Sequence, residues 1–457
     1  MGAPPRPPRK PIRWRLAAAS RLRSPWEPSP SHNKNVSVLA IVIVTLLGTA
    51  LLLFVGANLA TTEKRLLYRP RRLYTSDDAD FRRALGILLG PPLVSGNRIT
   101  TLVSGNHIYA AMLGAIRAAQ TNICFETFVF RDGVGATFVE ELSTAARRGV
   151  QVHMLLDWLG SRTMNQNLLQ AARAAGCDLR VYHPPSWYHL GRLNNRTHRK
   201  LLIVDGKIGF TGGVGMGIEW KDGLMGLPPW RDSHFKAEGP VVAQMQAVFV
   251  DNWIKTTGRV LHGAEYFPRL APVGDMEAQM FGSSPVGGSE SMHLMVLLAL
   301  TAARTSIDIE NAYFVPDRLT CEALCSAARR GVRVRIVVPG RYTDARVGRW
   351  AAQGLYGTLL EAGIQIYEYQ PTMMHCKVLV IDGLWSSVGS ANFDDRSFRL
   401  NDEANLNVFS EELAREQLRL IDEDIGHSRR MVLRRWRNRK FGRRLNERLA
   451  LLLRSQL

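Results

Sequence analysis

The sequence predicts an α/β fold in which two pseudo-symmetric α/β/α halves pack together, with one N-terminal transmembrane helix ahead of them. Three observations support this prediction. Similar segments recur in the same order in both parts of the chain, strand-like and helix-like patterns alternate within each part, and a long uncharged stretch precedes them. Strands that alternate with helices are typical of a mixed sheet covered by helices on both faces.

The N-terminal region predicts a tail and a membrane anchor. Residues 1–35 are rich in Pro, Arg and Ser and are expected to be disordered. Residues 36–60 carry no charge, and as a helix they would be about 37 Å long, enough to cross a hydrocarbon core of roughly 30 Å. A signal peptide is the alternative, but the apolar run is too long for one. Residues 61–92 form the juxtamembrane segment, and basic residues on both flanks leave the orientation open.

The first half is predicted to cover residues 93–260 and the second half residues 261–427. In the first half the pattern predicts two helices, over 108–119 and 135–148, and three strands, over 123–130, 150–157 and 200–204. The second half repeats this order between residues 292 and 388, and residues 258–291 hold a connection with several Gly and Pro residues.

Three pairs of segments reveal the internal repeat. Residues 121–126 resemble 305–310 at a shift of 184, residues 145–150 resemble 327–332 at a shift of 182, and a His-x-Lys-x-x-x-x-Asp motif recurs at a shift of 177. The order is kept and the shift drifts slightly, as loop insertions would make it. Two repeats of this size indicate a duplicated domain rather than a solenoid.

The repeated motif carries the candidate chemistry. Its members are His198, Lys200 and Asp205 in the first copy and His375, Lys377 and Asp382 in the second. Alternate residues on a strand share a face, so each His points the same way as its Lys, while the residue between them points to the other face. Cleaving a phosphodiester needs a nucleophile, an acid and cations for the phosphoryl oxygens, and two facing His–Lys pairs supply all three. A lone His on an apolar strand is more often a core histidine; the repetition argues against that here.

The duplicated motif resembles the signature of the phospholipase D superfamily. Residues 230–235, 251–254 and 310–317 narrow the resemblance to bacterial cardiolipin synthases, and it extends over roughly residues 93–424. The resemblance implies that His198 attacks phosphorus to form a phosphohistidine. It implies that His375 protonates the leaving alcohol and then activates the incoming one, while Lys200 and Lys377 hold the phosphoryl oxygens.

The residues downstream of the two motif copies differ. In the second copy Ser390, Asn392 and Glu403 match the superfamily pattern, which implies that they complete the phosphate pocket and support His375. In the first copy Gly215 stands where many members have Asn, and an insertion at residues 217–230 precedes Asp232. We expect Asp232 to be the carboxylate partner of His198.

Six further candidates belong to the motifs and to the strands around them. Asp205 and Asp382 are part of the signature, but we expect them to face structural partners and to support the site. Glu126 and Glu310 repeat in the strands, and the sequence leaves open whether they line the site or form buried ion pairs. Tyr313 and Phe314 are expected in the core or in a pocket wall.

Charge and cysteines limit the possible partners. Of the net charge of +19, residues 1–35 carry +7 and residues 428–457 carry +10, which leaves +2 for the rest. Nucleic-acid binding calls for a basic catalytic body, whereas basic tails suit an anionic membrane surface, so no nucleic-acid partner is expected. The five cysteines have no metal-type spacing and predict neither a disulfide framework nor a zinc site. Cys376 is predicted to be a core thiol rather than a nucleophile.

The C-terminal tail, residues 428–457, holds Leu445, Leu449 and Leu452 at helical spacing among basic residues. This pattern is typical of an interfacial helix on anionic lipid; the alternative is a basic helix packed on its own body.

The function expected from this resemblance is cardiolipin synthesis at the bacterial cytoplasmic (inner) membrane. A phosphatidyl group would pass from one phosphatidylglycerol to another, giving cardiolipin and glycerol with no metal and no cofactor. Hydrolytic phospholipase D is the main alternative, and a nuclease or an inactive lipid-binding scaffold are further ones. The acceptor alcohol, the membrane face and the oligomeric state are left open by the sequence.

Overall fold

The computed structural model describes residue 2 and residues 30–59, 66–185, 194–224, 226–285 and 290–457. It divides into two compact units, Met1–Gly56 and Ala57–Leu457. Residues 30–56 of the first unit belong to helix α1 (Pro30–Leu59). Most of the predicted disordered tail, residues 3–29, lies outside the described residues.

The predicted transmembrane helix is not supported. Across the described ranges, no helix is both long enough and apolar enough to cross a membrane.

The second unit contains both predicted halves, which we call half 1 (residues 93–260) and half 2 (residues 261–427). Helix α2 (Ala79–Leu89) precedes them. The elements of half 1 are β1 (Val94–Val103), α3 (Gly105–Ala118), β2 (Asn122–Thr127), α4 (Val134–Arg147), β3 (Gln151–Asp157), α5 (Trp158–Ser161), α6 (Gln166–Ala174), β4 (Asp178–Tyr182), β5 (Arg196–Thr197), β6 (Leu201–Val204), β7 (Ile208–Gly212), α7 (Ile218–Lys221), β8 (Ser233–Glu238) and α8 (Val241–Thr257).

Half 2 repeats much of this order, and a short tail follows it. The elements of half 2 are β9 (Met276–Ser283), α9 (Ser291–Ala302), β10 (Ser306–Asn311), α10 (Arg318–Arg329), β11 (Arg333–Pro339), α11 (Arg346–Glu361), β12 (Gln365–Tyr369), β13 (Lys377–Ile381), β14 (Trp385–Gly389), α12 (Asp395–Arg399), β15 (Asn401–Phe409) and α13 (Glu411–Gly426). The tail holds β16 (Ser428–Arg430), α14 (Leu433–Arg437) and α15 (Phe441–Leu452).

The mixed α/β fold predicted from the sequence is confirmed, and the strands of both halves belong to one sheet. Their order is β16-β12-β11-β10-β13-β14-β15-β9-β1-β8-β7-β6-β2-β3-β4. Reading outward from the centre, β9 corresponds to β1, β15 to β8, β14 to β7 and β13 to β6. The three outer strands of each half run parallel and the inner ones pair antiparallel. The halves are therefore related by a pseudo-twofold axis between β1 and β9.

The pairing of β1 with β9 joins the halves, and this strand was missed in the sequence. The connection predicted at residues 258–291 contains β9, a full central strand. The pairing shifts register between Val94 and Asn97. There the buried Asn97 amide donates to the carbonyls of Val94 and Met276, at 2.6 and 3.1 Å. A side chain thus satisfies backbone groups that the irregular ladder leaves unpaired.

Apolar side chains form three core clusters. One lies between the sheet and α3 and α4 in half 1, and one lies between the sheet and α9, α10 and α11 in half 2. The third joins the halves beneath α8 and α13, and it includes Leu201 and Ile203 of β6 with Val378 and Val380 of β13. Helices therefore cover both faces of the sheet, as predicted, and both motif strands contribute to the shared core.

The C-terminal tail packs on the body, which matches the alternative considered for it. The side chains of Glu447 and Ala450 are buried, and Trp436 donates its indole N–H to the carbonyl of Gln353 in α11 at 2.8 Å. The opposite side of α15 remains exposed and carries large apolar side chains: Phe441, Leu445, Leu449 and Leu452. Contact with lipid through that exposed side stays a prediction.

Candidate active site

Each motif histidine lies just before its motif strand and is held by the other half. The backbone N–H of His198 donates to the carbonyl of Asp402 at 2.8 Å, beside the short parallel pairing of β5 with β15. The backbone N–H of His375 donates to the carbonyl of Arg231 at 2.7 Å. The segment ahead of each motif thus pairs with the start of a strand, or with a residue just before one, in the opposite half, which brings the two histidines to the boundary between the halves.

The carboxylate partners of the two histidines are crossed. Nδ1 of His198 lies 3.0 Å from both oxygens of Glu403, and Nδ1 of His375 lies 2.9 Å from Oδ2 of Asp232. The predicted pairing of Asp232 with His198 and of Glu403 with His375 is therefore wrong. The physical reason is the strand order. Glu403 lies in β15 and Asp232 immediately precedes β8, and these two strands flank the central pair β9 and β1. Each carboxylate therefore faces the motif of the opposite half.

Burial controls the protonation of both imidazoles. It lowers the pKa of His198 to about 4, although the nearby Glu403 carboxylate acts in the opposite direction. Burial and the Lys377 ammonium lower the pKa of His375, against the effect of Asp232. Both imidazoles are thus neutral at neutral pH, and each can present Nε2 as a base or nucleophile while its carboxylate fixes the tautomer.

The two carboxylates remain charged in spite of their burial. Burial alone would raise the pKa of Glu403, but His198 and Lys200 outweigh it, and the net shift is downward. The pKa of Asp232 is lowered in the same way, with His375 and Lys377 outweighing burial. Each histidine therefore faces a fixed negative charge across its Nδ1 hydrogen bond.

Lys200 and Lys377 are buried beside the histidines. Lys200 donates Nζ–H to the carbonyl of His198 at 2.7 Å, and Lys377 donates to the carbonyl of His375 at 2.6 Å. Burial lowers the pKa of Lys200 to about 7 and also lowers the pKa of Lys377. Two desolvated amines in one site are stabilised as cations when an anion enters, because the anion supplies the missing negative charge.

Ser390 was predicted to support His375. In the structure it supports Glu403, and through Glu403 it supports His198. The Ser390 hydroxyl donates to Oε2 of Glu403, and Ser397 donates to Oε1 at 2.7 Å. The backbone N–H of Asn392 donates to the Ser397 hydroxyl at 3.0 Å. The buried side-chain Oδ1 of Asn392 has no partner among the described groups. The Asn392 side chain is thus positioned with an unused polar atom beside His198.

Gly215 stands in the place of Asn392 in half 1, and the structure explains the difference. A Cβ atom at Gly215 would lie 2.7 Å from Cβ of Val129 and 3.2 Å from the ring of Trp220. Trp220 comes from the insertion and donates its indole N–H to Asp232 at 2.9 Å. An indole therefore occupies the space of the missing side chain and supports the carboxylate of His375.

Asp205 and Asp382 are placed in tight turns, at φ values of 54° and 55°. The Asp205 carboxylate accepts hydrogen bonds from the backbone N–H groups of residues 120–122. Asp382 accepts from those of residues 304–306 and from the hydroxyl of Ser76. These contacts tie each motif hairpin to the start of β2 or β10, which is the structural role expected for them.

The residue between each His and Lys points away from the site, as predicted. The Arg199 guanidinium is buried and donates to the carbonyl of Val248 at 2.7 Å and to Asp251 at 3.0 Å. Cys376 is a buried free thiol, and burial raises its pKa well above the usual value. It is therefore a core residue rather than a nucleophile.

Glu126 and Glu310 lie in a buried layer behind the motifs. Glu126 accepts hydrogen bonds from Thr197 and Asn252, and burial raises its pKa to about 7 in spite of nearby Arg199. Burial likewise raises the pKa of Glu310, which lies near Arg231. Both carboxyls are buried near an arginine, and no ion pair of either is seen among the described residues, so the choice between the two possibilities stays open.

A cavity of about 380 Å³ opens onto His198. Its wall includes Asn392, Tyr313 and Arg396, together with Gln456 and Leu457 of the C-terminal tail. Sequence reasoning placed Tyr313 in a pocket wall or the core but missed Arg396 and the two tail residues, because nothing in their local pattern indicates contact with a distant motif.

Aromatic rings enclose the two imidazoles. Phe128 packs edge-on against His198 at 5.5 Å between centroids, and Trp220, Trp230 and Tyr313 lie 5.4–5.8 Å from His375. The insertion at residues 217–230 was the available signal for both tryptophans. The arrangement supplies two oriented imidazoles, two amines for an anion and an apolar surround, which suits displacement at a phosphodiester.

Comparison with known proteins matches the chain to one family. The family model described as "Cardiolipin synthase, PLD-like domain" matches residues 112–218 and 296–425, which include both motifs. Cardiolipin synthase 1 of Bacillus anthracis is 32% identical over 369 residues, covering 78% of this chain and 72% of the relative. Cardiolipin synthase A of Pseudomonas fluorescens is 32% identical over 394 residues, covering 86% of this chain and 80% of the relative.

Among solved structures, phosphatidylserine synthase of Haemophilus influenzae has the same fold. It aligns with a TM-score of 0.63 at 14% identity, covering 82% of this chain and all of the other. The duplicated motif, the paired halves and the extended similarity to these relatives lead to one conclusion: the chain belongs to the cardiolipin synthase family of phospholipase D-like proteins.

Proposed function

We propose that this protein is a phosphatidyltransferase that joins two phosphatidylglycerol molecules into cardiolipin and releases glycerol. One observation carries the proposal. Two imidazoles, each hydrogen-bonded to a carboxylate of the opposite half, lie with two buried amines at the boundary between the halves, and a cavity opens onto one of them, His198. The relatives are named cardiolipin synthases, which supports cardiolipin as the product of this phosphodiester chemistry.

In the proposed first step, Nε2 of His198 attacks the phosphorus of phosphatidylglycerol. The bond from phosphorus to the glycerol oxygen breaks, and His375 gives that oxygen a proton. Lys200 and Lys377 neutralise the non-bridging oxygens, whose charge raises the pKa of nearby cationic groups and so allows His375 to carry the proton. The product of this step is a phosphohistidine and free glycerol.

In the second step, His375, now neutral, takes a proton from the hydroxyl of a second phosphatidylglycerol. The resulting oxygen attacks phosphorus, the phosphorus–nitrogen bond breaks, and neutral His198 is restored. Support for His198 as the nucleophile comes from the cavity, which opens onto its ring.

The wall of the cavity favours a lipid acceptor over water. Arg396 is half-buried, and the hydrogen bonds of its guanidinium go to uncharged oxygens, including those of Asn194 and Gln456. We propose that this cation attracts the phosphate of the acceptor lipid. Hydrolysis needs no such group, so Arg396→Gln should raise the ratio of phosphatidic acid to cardiolipin even if total turnover changes little.

The experiment that tests the function uses the purified full-length protein with labelled phosphatidylglycerol. Cardiolipin and glycerol should appear in equal amounts, and excess glycerol should convert the cardiolipin back to phosphatidylglycerol. His198→Ala and His375→Ala should remove product, whereas His107→Ala, which changes an exposed histidine, should not. Phosphatidic acid as the only product would favour a hydrolytic phospholipase D instead.

We also propose that the protein acts at the bacterial cytoplasmic membrane and is attached there through α1. Large apolar side chains between Val38 and Leu53 are exposed, and residues 36–60 carry no charge. Exposed apolar side chains along a helix favour contact with an apolar environment. Removal of residues 1–60 should move the protein from the membrane fraction to the supernatant.

A further inference from the structure

A cleft rich in arginine lies in the second unit, apart from the catalytic cavity. It has a volume of about 470 Å³ and runs between residues 67–72 and helix α10. None of its lining residues is shared with the cavity at His198. The basic residues in its wall are Arg69, Arg71, Arg72, Arg318 and Arg330, and Glu322 is the acidic one.

The positive charge of this arginine cleft is largely uncompensated. The Glu322 carboxylate is bound by Arg318 at 2.6 Å, so it is already paired. Arg69 donates to the backbone carbonyl of Glu322 at 3.2 Å, and Arg330 donates to carbonyls of α9 and the residue after it. Bonds to neutral carbonyls position a guanidinium without cancelling its charge.

Two further arginines point to the same conclusion. Within the described residues, neither Arg71 nor Arg72 has a hydrogen bond or an ion pair. The pKa of Arg330 is lowered by burial and by the charges of Arg72 and Arg69. Like charges gathered at one cleft repel one another unless an anion joins them.

The edge of the cleft is apolar and exposed. Leu67, Tyr68 and Leu73 are 68%, 82% and 69% exposed. Leu66 follows the end of α1 at Leu59 after only six intervening residues. Guanidinium groups that recognise phosphate, beside exposed apolar side chains, fit a molecule with an anionic head and a hydrocarbon body.

We propose that the arginine cleft binds the phosphate head group of an anionic phospholipid while Leu67, Tyr68 and Leu73 contact the acyl region. The cleft is a second lipid site that holds the body against an anionic membrane, and it takes no part in the chemistry at His198. This proposal rests on the proposed function only in taking the available lipid to be an anionic phospholipid. A free inorganic anion or a nucleic acid would not use the apolar edge.

The test is photolabelling of the full-length protein in phosphatidylcholine vesicles that contain a photoreactive phosphatidic acid. Peptide mapping should find the label in residues 66–73. Arg71→Glu/Arg72→Glu should reduce this labelling by at least about 25-fold, since each of the two basic residues lost near a membrane contributes about a fivefold change in binding. The matched control Arg173→Glu/Arg415→Glu, which reverses two exposed charges elsewhere, should leave it unchanged.

Competition distinguishes the ligands. Unlabelled phosphatidylglycerol should suppress the label, while inorganic phosphate and a duplex oligonucleotide should not. Equal suppression by phosphate or by the oligonucleotide would overturn the lipid assignment, and so would equal labelling of the cleft variant and its control.

The same proteins separate this inference from the proposed function. The cleft variant should retain wild-type transfer on short-chain, monomeric phosphatidylglycerol, because the altered residues lie outside the catalytic cavity. A wild-type protein that is labelled at the cleft but makes no cardiolipin would refute the proposed function alone. Loss of transfer on the short-chain lipid in the cleft variant would overturn the separation of the two sites.

Discussion

The crossed carboxylates allow a prediction that separates the two histidines by role. In Glu403→Gln the charged partner of His198 becomes neutral, while the shape of the buried side chain is nearly kept. In Asp232→Asn the same change affects His375. A hydrogen bond to a charged group contributes about 1.5–3 kcal/mol. At about 1.36 kcal/mol for each factor of ten, either substitution should slow the step that uses its histidine by roughly 10- to 150-fold.

The assay compares two donors that differ only in the leaving group. Glycerol leaves as a poor anion and needs an acid, whereas p-nitrophenol leaves without one. Glu403→Gln should slow attack on both donors, because it weakens the nucleophile His198. Asp232→Asn should slow the reaction with phosphatidylglycerol but leave the initial burst of p-nitrophenol release intact, because only the acid His375 is affected. The pH limit set by protonation of His198 should also move further down in Glu403→Gln, since Glu403 raises that pKa.

The control is Asp308→Asn, which alters a buried carboxylate in half 2 that pairs with Arg335 rather than with a histidine. It should leave the ratio of the two donor rates unchanged. A burst that is lost in Asp232→Asn and kept in Glu403→Gln would show that the roles or the pairings are reversed.

Three further predictions concern protons, stability and membrane contact. Burial lowers the pKa of Lys200 to about 7, and a bound phosphate ligand should raise that pKa. Binding of the ligand should therefore be accompanied by proton uptake above pH 7 but by little uptake below about pH 6. Lys200→Met should reduce this uptake, which calorimetry in buffers of different ionisation enthalpy measures. Asp205→Ala and Asp382→Ala should each lower the free energy of unfolding, measured in denaturant, by about 1–3 kcal/mol, because backbone N–H donors lose their acceptor. The kcat of both variants at low temperature should stay close to that of the wild type. A collapse of kcat in a fully folded variant would contradict this prediction. Leu449→Gln on the exposed side of α15 should weaken flotation with anionic vesicles severalfold, whereas Leu88→Gln, an exposed leucine on α2, should not.

The parts of the fold predicted from sequence are those encoded by local periodicity. Strand β3 and helices α3 and α4 begin and end within three residues of the prediction, because alternation and helical spacing are local signals. The predicted strand at 123–130 ends early, at Thr127. Strand β9 was missed because its neighbourhood is rich in Gly and Pro and its only signal is pairing with distant β1 and β15.

The candidate site shows the same limit. The directions of His198, Lys200 and Arg199 follow from the two-residue period of a strand, and the structure agrees. The choice between Asp232 and Glu403 as partner of His198 depends on strand order across the whole sheet, which spacing along the chain does not contain. The conversion of an Asn position into Gly215 became understandable only when Trp220 was seen to fill the space.

The crossing of partners has a consequence for how such a protein can be divided or can originate. Half 1 expressed alone would hold His198 without Glu403, and half 2 alone would hold His375 without Asp232. Neither fragment could work as a monomer, and activity on mixing would depend on fragment concentration. Fusion into one chain makes that association intramolecular. Once two copies are linked in one chain, the sequence of each copy can change separately. An assembly of identical halves could not keep a tryptophan beside one histidine and an asparagine beside the other.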